Sequence, residues 1–439
     1  MKLTRQADLR LLVPSLSAWV VTAFGGLLVP LPWAWLGAAG CALGAAGLLL
    51  TPRCRGRPGR RLLALTLAAC ALVLVAAAGH RTLRGVGPLT GLAAERAVVT
   101  LRGQLSADPA PVGGPTVATP NGTRPATVVV RVDVETVTAR GRTTQLGAPV
   151  LLLASAAYAD LEWRDRIEVV VRLRPAEPGD DVVAVATPRG PPSRIGSPAP
   201  VLQGASAMRE RFRAATDSLW PDARGLVPAL VVGDRSRTPP DLTEAMLATG
   251  MSHLSAVSGS NVTIVLAAAL GLCRALALRR RWRPWVAMGV LAAFVILARP
   301  EPSVIRAAVM GAVGLVGLSA SRRRVGLPAL AAAVLALLVW DPWLSRSYGF
   351  ALSSVATLGL LVFAQPWGSA LERWLPTRAR SLGPVLAVPV AAQAVCAPIV
   401  VPLQGSVSLV AVVAYLLAPA LVAPATLLGA AVAVLAVVW

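Results

Sequence analysis

Histidine and lysine are almost missing from this chain. Its 439 residues hold two histidines, His80 and His253, and a single lysine, Lys2, beside 41 arginines. Two histidines leave a histidine-built metal centre without enough ligands. Cysteine is scarce as well: Cys41, Cys54, Cys70, Cys273 and Cys396 lie in or beside apolar runs with no CxxC spacing. That pattern argues against both a disulfide framework and a zinc site. No Gly-x-Ser-x-Gly frame surrounds Ser258, so a nucleophile elbow is not expected. No catalytic residue, metal or cofactor is assigned. Charged residues amount to only 14%, while 55% of residues are hydrophobic and the mean hydropathy is +0.66. Such a chain has lipid, not water, as its solvent.

The apolar residues come in blocks near the roughly 20 residues that cross about 30 Å of hydrocarbon as a helix. Spans are expected at 11–29, 34–50, 62–79, 258–278, 284–298, 303–320, 327–340, 348–365, 383–401 and 407–423. A further apolar stretch, 424–439, reaches Trp439 without a polar tail, as in a fragment that stops inside a helix. The first block is expected to be a retained span, because a second apolar block follows it with no cleavage site before a polar region.

A formal charge of +21 invites a nucleic-acid reading, so the location of the charge matters. Residues 80–205 hold 14 Arg against 11 acids, leaving most of the excess in and between the apolar blocks. With alternating spans, the inside loops 51–61, 279–283, 321–324 and 366–382 carry fifteen arginines. The short outside loops carry two, Arg299 and Arg346. Basic loops stay on the cytoplasmic side. The expected topology has the N-terminus cytoplasmic and residues 80–205 extracytoplasmic. Most of the charge then reports orientation and not a ligand.

Within 80–187 the hydrophobic period changes to two. Val128, Val130, Val132 and Val134 alternate with Arg131, Asp133 and Glu135, the pattern of a half-buried strand. Similar runs at 97–105, 149–154, 165–174 and 181–186 make five strands, for which the OB-fold barrel is the natural candidate. OB-folds can bind single strands through basic grooves and aromatics, but aromatics are sparse here. A structural or docking module is the expectation. Residues 188–225 then form a linker rich in Pro, Gly and Ser and an amphipathic stretch, Met208–Trp220. The spacing of Arg209, Arg213 and Asp217 suits a helix lying on the membrane surface.

The most informative segment joins polar chemistry to the start of a span. Gly233-Asp234-Arg235-Ser236 forms a polar turn. Pro239-Pro240 then opens a short helix with Asp241 and Glu244 near its start, and Gly250 suits its C-terminal cap. Next come Ser252, His253 and Ser255, followed by Ser258-Gly259-Ser260-Asn261 at the mouth of an apolar block. Polar groups there must find partners or water. Arg306, a few residues into 303–320, is the clearest intramembrane charge and by default a functional candidate. Snorkelling beside Glu301, or a partnership with Glu301 or Asp341, would also explain it. Ala307 and Gly311 permit close helix contact, and Ser353 and Thr357 share one face.

The run G-D-R-S followed by T-G-x-x-H-L-x-A-V-S-G-x-x-V resembles the core signature of the ComEC family of competence proteins. It matches at Gly233 to Ser236, Thr249, Gly250, His253, Leu254, Ala256 to Gly259, and Val262. Ser303-Val304-Ile305-Arg306-Ala307 resembles the family's Ser-x-x-Arg-Ala span. Asp341-Pro342 and Phe350-Ala351-Leu352-Ser353 resemble its Asp-Pro and Phe-Gln-Leu-Ser segments, and Gln404-Gly405-Ser406 falls at a family turn. Ser258 to Asn261 and Ala351 depart from the family's usual His and Gln.

The resemblance implies a polytopic α-helical membrane protein of ten or eleven spans with an extracytoplasmic OB-like insert. Its parts are three spans in 1–79, the insert in 80–187, the linker and amphipathic helix in 188–225, and a competence-type channel domain in 226–439. It implies uptake of single-stranded DNA across the lipid bilayer during natural transformation. The implied partners are a DNA receptor, a cytoplasmic translocation ATPase and a separate nuclease, with room for a homo-oligomer. Two histidines cannot supply the metal ligands of the metallo-β-lactamase-like nuclease domain that many members carry. The residues expected along the DNA path or in the structural signature are Gly233, Asp234, Arg235, Ser236, His253, Ser258, Gly259, Ser260, Asn261, Arg306 and Ser353, with Asp234 positioning Arg235. A secondary transporter or flippase would also use polar groups at the midplane, and a scaffold with a partner-binding insert is a third reading.

Overall fold

A computed structural model describes residues 10–50, 58–119, 122–196, 198–251, 259–319, 326–404 and 410–435. The chain divides into two compact units, one from segments 1–23, 38–73 and 205–439, the other from 24–37 and 74–204.

The second unit is built on a seven-stranded mixed sheet: β1 (Val98–Leu105), β2 (Ala110–Thr119), β3 (Gly122–Ala139), β4 (Arg142–Ala154), β5 (Arg166–Pro175), β6 (Ala184–Pro188) and β7 (Ser193–Arg194). The alternation in the sequence is realised in space. Val128, Val130, Val132 and Val134 are all buried, and with Leu101, Leu105, Leu152, Ile167 and Leu173 they form one core. Leu89 and Leu92, from a short helix α4 (Leu89–Ala94), join this core. Tyr158 is also buried in it; its hydroxyl donates to the Gly190 carbonyl at 2.7 Å, and burial pushes its pKa to about 12.

The five expected strands, β1 and β3 to β6, are all present, but they belong to a larger sheet. The sheet is mixed, with one parallel pair, β4–β6, and it carries two further strands, β2 and β7. The sequence of β2, APVGGPTVAT, has no period of two and is broken by Gly and Pro, so it resembles a turn until it pairs with the start of β3. β1 pairs with β3 on one side and β5 on the other, across a register shift at Arg102/Gly103. A side chain at Gly103 would begin 2.4 Å from the Asp133 carbonyl oxygen, so only glycine fits the approach.

The other unit is helical. Four described helices are long and apolar enough to cross a bilayer, Leu31–Leu50, Gly59–Gly85, Tyr348–Trp374 and Leu382–Pro402, and six shorter apolar helices accompany them. These helices fit a multi-pass membrane protein. In chain order the remaining helices are α1 (Leu12–Val20), α2 (Leu31–Leu50), α3 (Pro58–Gly85), α5 (Pro200–Ala215), α6 (Pro221–Val232), α7 (Pro240–Ala248), α8 (Gly259–Ala275), α9 (Arg283–Ala298), α10 (Pro302–Ser319), α11 (Gly326–Trp340), α12 (Tyr348–Gly359), α13 (Gln365–Trp374), α14 (Leu382–Gln404) and α15 (Val410–Leu435).

Two block boundaries move. α12 runs through a π-helical stretch, Leu360–Ala364, into α13. Pro366 removes one amide donor from this continuous helix, and the π-helical stretch lies immediately before it. The last two apolar blocks are one helix, α15, which carries Pro424 without a break. α14 contains three internal prolines, Pro389, Pro398 and Pro402.

Packing of this unit follows small residues. Val262 and Leu266 of α8, Leu291 and Phe294 of α9 and Val304 and Leu315 of α10 form one cluster. Gly311 permits it, since a Cβ there would lie 3.0 Å from Leu266 and 3.7 Å from Leu291. A second cluster joins Ala18 of α1, Val73 of α3, Leu330 to Leu338 of α11 and Phe350 of α12. A third joins Phe212 of α5, Val231 and Val232 of α6 and Ala433 of α15.

Candidate functional site

α6 ends where Gly233 takes φ +73°, a left-handed cap that glycine adopts without cost. The Gly233 amide donates to Ala229 at 3.1 Å and that of Asp234 to Pro228 at 3.2 Å. This reversal leaves Asp234 only 6% exposed. One carboxylate oxygen accepts from the Ser236 amide (3.1 Å) and hydroxyl (2.7 Å). The other faces two arginines of α5, with Arg213 Nε at 2.9 Å and Arg209 Nη2 at 4.0 Å. Burial by itself pushes the carboxyl pKa up. Arg209, the Ser236 bonds and Arg213 together outweigh it and hold the pKa below the ordinary carboxylate range.

Arg209 is 3% exposed and donates to the carbonyls of Val232, at the end of α6, and Leu297, near the end of α9, the latter at 2.9 Å. A guanidinium can serve both because its donors are fixed in a planar fork. The turn from α9 to α10 is gripped again by Arg299, which donates to Ser206 at 3.3 Å, and by Glu301, which pairs with Arg235 at 3.2 Å. Asn261 in the first turn of α8 is fully buried and donates from Nδ2 to the Leu230 carbonyl at 2.8 Å. Thus Gly233, Asp234, Arg235, Ser236 and Asn261 converge on the end of α6. Gly259 lies beside α10, its Cβ position 3.8 Å from the Ala307 methyl.

Arg306 stands apart from that cluster. It is 3% exposed; Nε donates to Ser353 Oγ at 2.9 Å, and the guanidinium carbon lies 5.6 Å from the centre of the Phe350 ring. Its Nη1 is buried without a hydrogen-bond partner. Glu301, five residues earlier, accepts the amide of Ile305 in the first turn of α10. His253 and Ser258 lie outside the described residues, as does the side chain of Ser260, whose backbone belongs to α8.

Three expectations change. Asp234 holds Arg209 and Arg213, not Arg235, because the Gly233 cap turns its carboxylate toward α5 and leaves Arg235 to Glu301. Arg306 is partnered by Ser353 and Phe350 of α12, and Glu301 is taken by Arg235. The face of Met208–Trp220 that carries Arg209 and Phe212 points inward, since both are buried, so Arg209 does not lie on a membrane surface. The signal for Arg209 and Arg213 was their four-residue spacing around Phe212, which suits a protein-facing stripe as well as a lipid-facing one.

Long apolar helices, a β-rich insert and a polar cluster where short and long helices meet define a membrane protein with a buried arginine-centred site. Residues 230–439 match the family described as competence protein. A 157-residue stretch is 31% identical to ComE operon protein 3 of Bacillus subtilis (strain 168), covering 36% of this chain and 20% of that protein. The chain therefore spans about a fifth of the length of the relative it matches. Over residues 230–439 the chain is thus similar to competence proteins, which supports the resemblance to the ComEC family. No solved structure matches it.

Proposed function

We propose that this chain is a transmembrane channel component that admits single-stranded DNA across the bacterial cytoplasmic membrane during natural transformation. The family match supports a role in competence DNA uptake. The observation that carries the channel reading is Arg306. A guanidinium in an apolar helix, bound on one edge by Ser353 and with Nη1 buried but unbonded, has one donor nitrogen to offer a passing phosphate oxygen. A single charge-assisted bond binds weakly enough to let a strand move on. Asn261 and the Gly233 to Ser236 turn frame the start of the path; His253, Ser258, Gly259 and Ser260, which fall between them in sequence, are the remaining candidates.

The arginine bias of the loops supports a cytoplasmic N-terminus and an extracytoplasmic insert. The pairing of β1 with both β3 and β5 supports an OB-like arrangement within the insert. The domain limits are 1–79, 80–187, 188–225 and 226–439. A DNA receptor, a translocation ATPase and a nuclease would act with the chain, whose own role is passage and not catalysis.

Uptake of labelled DNA is to be measured in cells carrying Arg306→Ala, with membrane abundance checked. A loss of about tenfold or more at normal abundance is expected, with Arg306→Lys intermediate. Normal uptake in a clean deletion of the whole gene rejects the reading.

A further inference from the structure

The family match begins at residue 230, yet the helix before it is built into the same unit. From Ala205 onward α5 touches three separate parts of the competence region. Phe212 is 1% exposed and packs with Val231, Val232 and Ala433. Arg209 and Arg213 face Asp234 of the Gly-Asp-Arg-Ser turn. Arg209 and Ser206 hold the α9–α10 turn through the Leu297 carbonyl and Arg299. A surface helix would spend its arginines on water, whereas this one buries a guanidinium and satisfies it with backbone oxygens of two other helices.

The place where Arg209 acts adds to this. Val232 and Leu297 lie at the C-terminal ends of α6 and α9, where carbonyls lack intrahelical donors and the helix dipole favours a cation. The α9–α10 turn also carries strain: Arg299 has φ +68°, ψ 149°, a conformation that side chains rarely adopt. Such a turn persists only if its surroundings over-determine it. Arg209 supplies one tie, and Ser206 and the Arg235–Glu301 pair supply two more. Through Glu301, whose carbonyl opens α10, the turn sets where α10 begins and hence where Arg306 stands.

We propose that α5 is a working part of the competence domain. Arg209 is its positioning residue, tying the Gly-Asp-Arg-Ser turn to the α9–α10 turn and thereby setting the height of Arg306. The uptake arm of the test rests on the channel reading above; the structural arm does not. Full-length wild type and Arg209→Ala, purified in detergent, are compared by amide hydrogen exchange, and the same variants are assayed for DNA uptake at matched abundance.

Exchange in 232–236 and 297–306 should rise at least tenfold in Arg209→Ala, with α11 to α14 unchanged, and uptake should fall at least tenfold. Arg209→Lys, which keeps the charge and length, should recover part of both, and it replaces Arg209→Ala if that variant does not accumulate. Unchanged exchange in both turns overturns the proposal. So does local release with normal uptake, provided that deletion of the gene abolishes uptake. If deletion leaves uptake intact, the channel reading fails and the exchange data alone decide whether Arg209 positions these turns.

Discussion

Asn261 offers a measurement of how strongly the end of α6 depends on α8. The Leu230 carbonyl is among the last of α6 and has no amide four residues on to receive, since the Asp234 amide is spent on Pro228. Asn261 Nδ2 fills the vacancy at 2.8 Å with no solvent exposure. Asn261→Ala strands a buried acceptor, which costs about 1–3 kcal/mol. At roughly 2–4 °C per kcal/mol for a unit of this size, the apparent Tm in detergent should fall by about 2–12 °C. Asn261→Asp should be worse near neutral pH, because an ionised carboxylate only accepts and would face another acceptor. Thr263→Ala is the control: Thr263 is exposed and bonds Gly259 of its own helix, so its loss should shift Tm little. Thermal unfolding followed by size-exclusion recovery would give all three. Equal stability of wild type and Asn261→Asp at pH 7 would refute the reasoning.

Asp234→Asn should cost about 3–5 kcal/mol near pH 7, as expected when a buried pair loses one partner. Because the folded pKa lies below the ordinary value of about 3.9, the carboxylate's contribution is complete above that value and is lost as pH falls through the folded pKa. Unfolding scans of wild type and variant should therefore converge in strong acid. Gly429→Ala would set a methyl 2.4 Å from Val231 Cγ2, against Phe212 at 3.5 Å. Overpacking of a stiff β-branched neighbour costs about 1–3 kcal/mol, and the companion Val231→Ala should restore part of the loss in a double-mutant cycle.

The apolar helices were legible from the length of their apolar runs, and the alternating strands from their period of two. Val128 to Val134 needed only their spacing. Strand β2 was not legible, since Gly and Pro hide its extended backbone until β3 supplies a partner. The ends of α12 and α15 were misjudged for a related reason: Pro366 and Pro424 break the pattern in sequence, but local geometry lets the helix pass. In the candidate site, the Gly-Asp-Arg-Ser turn and Arg306 stood out as polar groups in apolar surroundings. Their partners did not. Which arginine Asp234 meets depends on the direction in which Gly233 turns the chain, and that is settled by tertiary contacts with α5.

The three prolines of α14 have a chemical consequence. Each removes one amide donor, so the carbonyls of Val385, Ala394 and Pro398 lose their usual partners four residues ahead. The helix is thereby enriched in acceptors with no matching gain in donors. Toward a polynucleotide such a wall is selective by polarity. At these three positions its backbone gives no hydrogen to a phosphate oxygen, whereas the freed carbonyls can accept from the exocyclic amino groups of adenine, cytosine and guanine. Under the proposed channel reading, a strand that passes α14 would meet carbonyls there that accept from its bases.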